Sequence, residues 1–145
     1  MTSKVTYKVG LRTKAHLIQS GNSIVTDAPI DNQGKGEAFS PTDLVATALA
    51  SCMLTNMGIV AERNSIELKG TTAEVEKIMG TLPRKISEIK IKILFNKNFD
   101  KKTKRKLESA ALACPVSNSL NKNLEESIKF IYPKKNNIKP LTSIS

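Results

Sequence analysis

The stretch from Ser40 to Asn64, SPTDLVATALASCMLTNMGIVAERN, constrains the fold more than any other part of the chain. Ser40 is a capping residue, Pro41 fits the first helical position, and Asp43 stands three residues after Ser40, the spacing of a capping box. From Leu44 to Val60 nearly every residue is apolar or small, and a helix that is apolar all round belongs inside a core. At about seventeen residues the run is marginal for a membrane span, which needs roughly 20. Strand-like segments on both sides argue for a globular protein instead. Ala61-Glu62-Arg63-Asn64 gives the helix a polar end, with Asn64 expected in the left-handed position that follows a helix. Cys52, one of two cysteines, lies mid-helix. The helix is expected to exist to present that thiol.

Strand patterns flank it. Val5, Tyr7, Val9, Leu11, Thr13, Ala15 and Leu17 form one side of a period-two pattern, and Thr6, Lys8, Arg12, Lys14 and His16 form the other. This is a strand pair or one long bent strand, with Gly10 at the bend. Ser20-Gly21-Asn22 is a turn, and Ser23 to Asp27 returns as another short strand. Asp31 to Phe39 is a polar loop leading into the helix. Its Gly34-Lys35-Gly36 lacks the rest of a phosphate-binding loop and is a weak signal. Glu37 stands three residues before the helix cap, placed to orient a cation or accept a substrate proton near the thiol. A solvated loop carboxylate is the equal alternative.

After the helix, Ile66 and Leu68, then Ala73 and Val75, alternate with other residues as strands do. Gly80 to Pro83 is a turn, and Ile89, Ile91, Ile93 and Phe95 mark a strand with one face in the core. Asp100 caps a second helix whose inward stripe is Leu107, Ala110, Ala111 and Cys114. Pro115 ends that helix. If a short helix restarts there, Cys114 stands at its N-terminus, where free amides and the dipole favour a thiolate. A last strand runs from Ser127 to Tyr132.

The length of 145 residues suits one domain with a real core. Residues 1–133 read as a single domain and 134–145 as a flexible basic tail. No charged segment followed by an apolar one opens the chain, which sets the expectation of a soluble, cytoplasmic protein off the membrane. Two distant cysteines make no disulfide scaffold, and one histidine, His16, leaves neither a catalytic triad nor a multi-histidine metal site. No cofactor is expected. The net charge of +10 is uneven: residues 1–70 carry 7 basic and 6 acidic groups, residues 71–145 carry 16 and 7. Lysines are densest from Lys101 to Lys106. With few arginines, only Phe99 nearby and no nucleic-acid-binding signature, that cluster reads as a solvated face rather than a nucleic-acid surface.

Taken alone, buried thiols are more often inert small hydrophobes than reagents. A redox role needs a thiolate, and a free thiol of pKa about 8.5 is only a few per cent ionised at pH 7. Cys52 lies mid-helix, where no helix end lowers its pKa. A tertiary cation or donor would have to supply about 1.4 kcal/mol per unit.

GKGEAFSPTDLVATALASCM (34–53), followed some sixty residues later by ACPVSNSL (113–120), resembles the OsmC/Ohr family, in its GEAFSPTDL branch. The resemblance implies an α+β fold, with antiparallel sheets around a long cysteine-bearing helix, in an intertwined homodimer. It also implies thiol peroxidase chemistry: Cys52 attacks a hydroperoxide and becomes a sulfenic acid, Cys114 resolves it as a disulfide, and a dithiol reductant restores both. Better-studied members pair the thiol with an arginine in the N-terminal loop and a glutamate directly after the helix-start proline. Here Thr42 follows Pro41 and the loop has no arginine. Cys52 is therefore expected to be either weakly activated or served by a substitute, Arg12 or Arg63 of either chain, with Glu37 as the orienting acid. A thiol–disulfide exchanger and a non-catalytic dimeric module for a small ligand or nucleic acid are the alternatives.

Overall fold

Gly10 and Leu11 take left-handed φ values of 89° and 61°, and this decides between a strand pair and a bent strand. They fold the period-two segment into a hairpin of β1 (Ser3–Lys8) on β2 (Arg12–Leu17). The structure is a computed structural model that describes residues 1–134, so all of the tail expected at 134–145 except Lys134 lies outside the described residues. By its contacts the chain divides into two compact units, Met1–Val45 and the part from Ala46 onward.

In the first unit, β3 (Ser23–Asp27) returns antiparallel on β2, with Arg12 opposite Asp27. The turn between them is closed by Leu17 N–H donating to the Asn22 carbonyl at 2.8 Å. Alternation puts Val5, Tyr7, Ala15, Leu17 and Ile24 on one sheet face. That face is open: Val5 is 61%, Tyr7 65% and Ile24 49% exposed. Within this unit only Thr26, Asp27 and Ser40 are buried, and none of them is apolar. After β3 the chain makes a tight loop that includes a 3-10 turn at Ile30–Asn32. A Cβ on Gly34 would lie 1.8 Å from the Ala28 carbonyl oxygen, so only glycine fits there. The glycine serves backbone approach within the loop.

The long helix α1 (Pro41–Arg63) begins with the reciprocal capping box. Asp43 N–H donates to Ser40 Oγ at 3.0 Å, and Ser40 N–H donates to Asp43 Oδ2 at 2.9 Å. Its C-terminal end corrects the sequence reading by one residue. Ser65, not Asn64, takes the left-handed conformation (φ 54°), and Ile66 N–H returns to the Ala61 carbonyl at 2.8 Å. The Asn64 amide instead donates to the Val60 carbonyl at 2.8 Å, which satisfies the last turn from within.

In the second unit, β4 (Thr72–Gly80) pairs antiparallel with β5 (Lys85–Leu94), and β6 (Glu125–Ile131) pairs parallel to β5. A parallel return needs a crossover, supplied here by α2 (Lys101–Leu112) and the short α3 (Pro115–Ser119). The class is α+β, as read from the sequence, with this second sheet mixed rather than wholly antiparallel. Ile66 and Leu68 form no strand. They lie in the connection from α1 to β4, half-buried against the core, where Asn96 Nδ2 takes the Glu67 carbonyl at 2.9 Å. That carbonyl is bound by a side chain rather than by a neighbouring strand.

The core joins Ala46, Leu49, Ala50, Met53, Met57 and Ala61 of α1 to Ile89, Ile91, Ile93, Phe95, Leu107, Ala111 and Cys114. The helix is long and apolar enough to cross a membrane by length and composition, yet it uses this face for packing. Burial on all sides is not what is found. Val45, Ala48, Ser51, Thr55 and Ile59, on the opposite side, are exposed. A two-layer arrangement covers one side of a helix only.

Candidate functional site

The second unit brings the two cysteines together. Cys52 sits on α1, half-buried, and Cys114 is fully buried at 0% exposure. Pro115 forces the break between α2 and α3, and Cys114 becomes the extended N-cap of α3 (φ −79°, ψ 128°). Its Sγ accepts Ser117 N–H at 3.5 Å. Ser117 is in turn held from β6, its Oγ donating to Glu126 Oε1 at 2.7 Å and Oε2 at 3.0 Å. On α1, one turn beyond Cys52, Asn56 Nδ2 donates to the Ala110 carbonyl at 3.3 Å and the Ala113 carbonyl at 3.1 Å.

The expectation that amides at a helix start would favour a Cys114 thiolate is corrected. Burial raises the Cys114 pKa, the neighbouring Cys52 thiol raises it further, and the amides of Ser117 and Val116 pull it down by less. In the low-dielectric core desolvation outweighs two weak N–H to sulfur contacts. Cys114 is therefore held as the protonated thiol beside Cys52.

The first unit builds a separate charged cluster. Arg12 Nε donates to Asp27 Oδ1 at 2.6 Å, and its Nη2 donates to Asp27 Oδ2 at 2.9 Å and to Glu37 Oε1 at 3.0 Å. The loop closes on the same carboxylate, with Glu37 N–H reaching Asp27 Oδ2 at 3.0 Å. The Asp27 side chain is 1% exposed, against 35% for Arg12 and 67% for Glu37. The Arg12 hydrogen bond holds the Asp27 carboxyl below the usual carboxylate range; burial opposes it, and the Glu37 and Ala38 amides reinforce it. Hydrogen bonding to Asp27 and its charge raise the Arg12 pKa in turn.

Glu37 and Arg12, both named from the sequence, are thus ion-paired, while Arg63 is exposed in the last turn of α1. Asp27 was missed, although the hairpin arithmetic across the Ser20–Asn22 turn sets it opposite Arg12. Asn56 was missed too; its signal is an amide, a poor helix former, inside an otherwise apolar helix.

Because the Asp27 pKa is depressed in the folded state, its contribution to stability is present above the unfolded carboxylate value of about 3.9. It is lost as pH falls through the lower folded value, since the unfolded chain binds the proton first. Denaturant unfolding over a pH series is expected to show wild-type stability falling more steeply below about pH 4 than that of Asp27→Asn. Equal slopes would show that the pair has no linkage to folding.

A model of the OsmC-like protein family matches residues 34–129, spanning both cysteines and Glu37. The chain belongs to the OsmC-like family. No curated protein matches it. Among solved structures, this OsmC-like chain is 54% identical to a protein of Psychrobacter arcticus 273-4 named for osmotic stress induction and a detoxification response. That likeness covers 90% of this chain and 95% of the other, with a TM-score of 0.87. An organic hydroperoxide resistance protein of Legionella pneumophila shares the fold at 18% identity, covering 90% and 97% of the two chains, with a TM-score of 0.70. One from Elizabethkingia anophelis does so at 17%, covering 92% and 97%, with a TM-score of 0.71.

Proposed function

We propose that this OsmC-like protein is a cytoplasmic homodimer of the GEAFSPTDL branch that reduces organic or small hydroperoxides through Cys52 and Cys114. The observation that carries the reading is the thiol pair itself. Cys52 is the more accessible sulfur, and Cys114 is buried, with burial and the neighbouring Cys52 raising its pKa. The Cys52 thiolate attacks the outer peroxide oxygen; the O–O bond breaks, and the alkoxide takes a proton and leaves as the alcohol. Cys52 is then a sulfenic acid. Cys114 attacks that sulfur, the S–OH bond breaks, and its proton leaves with the hydroxyl as water. A dithiol reductant of unassigned identity gives two electrons and two protons to the resulting disulfide. The hydroperoxide resistance proteins that share the fold support this substrate class.

Mass spectrometry after brief hydroperoxide treatment tests the reading. The expected product has lost two hydrogens, assigned to a Cys52–Cys114 crosslink. Unchanged thiols would reject it and favour a non-catalytic binding module.

Of the two arginines named from the sequence, Arg12 is the one held in a fixed orientation by two carboxylates, and it is the cation we propose to test first. In the Cys114→Ser protein, Arg12→Ala should move the pH midpoint of Cys52 alkylation upward by about one unit, the effect of a nearby opposite charge. Arg63→Ala should not move it. A midpoint shifted by Arg63→Ala alone would transfer the role.

A further inference from the structure

Cys114 sits at a junction where Pro115 sets the backbone but α2 has already ended. α2 ends at Leu112, Ala113 has left the helical region (φ −92°, ψ 35°), and Cys114 is extended. The last carbonyls of a helix have no partner within it, and a break between two helices is where a chain can open locally. At this break α1 supplies a donor to the Ala113 carbonyl and a second one to the Ala110 carbonyl, which also accepts Ala113 N–H at 3.3 Å. Asn56 spans from the cysteine helix to both ends of the final α2 turn, taking the Ala110 carbonyl at 3.3 Å and the Ala113 carbonyl at 3.1 Å. Ala113 is the residue before Cys114, and Asn56 is four residues after Cys52, one helical turn away. The amide thus joins the two cysteine-bearing segments directly beside the sulfurs.

We propose that Asn56 is a positioning residue for the thiol pair, fixing the α2–α3 junction to α1 so that Cys114 is presented to Cys52. This rests on the two-cysteine reading of the site. Asn56 touches no reacting atom; its effect is to raise the effective concentration of one sulfur at the other. Shape alone does not do this. The two acceptors are carbonyls, so the group that faces them has to be a donor, and both amide hydrogens of one Asn are used. A carboxylate of the same size would face two carbonyl oxygens with no hydrogen to offer.

The test is the equilibrium of the dithiol protein with glutathione. Protein dithiol and oxidised glutathione exchange to protein disulfide and two reduced glutathione molecules, with no peroxide needed. In wild type the Cys52–Cys114 disulfide forms. Asn56→Ala and Asn56→Asp are each expected to lower its equilibrium constant about tenfold, equivalent to a reduction potential about 30 mV higher. Asn56→Gln, which keeps the donor on a longer arm, is expected to recover part of the loss. In stopped-flow experiments with hydroperoxide, Asn56→Ala should accumulate sulfenic acid on Cys52 because its resolution slows. A purely packing role would leave the same-sized Asn56→Asp at the wild-type equilibrium constant, and that result would overturn the proposal even if Asn56→Ala failed to fold. A wild-type protein that shows the glutathione equilibrium but consumes no hydroperoxide would sink the peroxidase reading and leave Asn56 in its role. A wild-type protein that forms no Cys52–Cys114 disulfide in oxidised glutathione would overturn both.

Discussion

Cys52→Ser is expected to reduce hydroperoxide consumption to background, whereas Cys114→Ser should consume one equivalent and stop with a sulfenic acid on Cys52. The difference follows from what each sulfur can do where it stands. Only a thiolate is a useful nucleophile toward a peroxide, and a serine hydroxyl in the same place stays protonated at any working pH. Cys114 is fully buried, with its pKa raised by burial and by its neighbour, so it is a poor first nucleophile. Beside a Cys52 sulfenic acid it needs neither access to solvent nor a permanent charge, since the proton it sheds leaves with the hydroxyl. The measurement is peroxide consumption in parallel with dimedone labelling and peptide mapping. Dimedone on Cys52 in Cys114→Ser, and none on Cys114 in Cys52→Ser, is the expected pattern. Labelling of Cys114 in Cys52→Ser would reverse the two roles.

The site was legible where local rules act alone. Ser40, Pro41 and Asp43 announce α1 by chemistry that needs no tertiary partner, and the capping box forms as written. Asp100 caps α2, accepting Thr103 N–H at 2.8 Å. Pro115 breaks the helix at Cys114, as its missing N–H and its ring demand. What was not legible depends on partners brought from far along the chain. Asn56 meets carbonyls 54 and 57 residues away, and no periodicity encodes that. The sign of the Cys114 shift depends on depth of burial, which a helix-start rule does not contain. The parallel pairing of β6 on β5 is likewise set by where the crossover helices pack, whereas alternation along a strand reads the same in either direction. The face of α1 opposite the core was the opposite kind of miss. Its Val45, Ala48 and Ile59 are as apolar as the buried residues, and Ser51 and Thr55 are small enough to fit a core, so composition alone could not tell a covered face from one this chain leaves open.

The open apolar face of the first unit's sheet leads to the second large effect: Val5→Lys combined with Ile24→Lys is expected to turn the proposed dimer into a monomer at micromolar concentration. Register sets Val5, Ala15 and Ile24 side by side across β1, β2 and β3. Val5 is 61% and Ile24 49% exposed in the isolated chain. A three-stranded sheet with large apolar side chains exposed on one face lacks a full second layer there, which such sheets need for stability. The unit has no buried apolar residue to compensate. A second copy of the chain supplies that layer in the proposed dimer. Covering a valine or isoleucine is worth roughly 1.5–3 kcal/mol, and each lysine has in addition to carry its ammonium back to water. A two-fold dimer counts every substitution twice. Even at about 1 kcal/mol for each of four positions, the dissociation constant rises about 10³-fold. Sedimentation velocity across a concentration series reads this directly, with near-ultraviolet circular dichroism to show that Ala46 onward keeps its packed core. The wild-type chain sedimenting as a monomer, or the double variant remaining dimeric at low micromolar concentration, would show that some other surface does the covering.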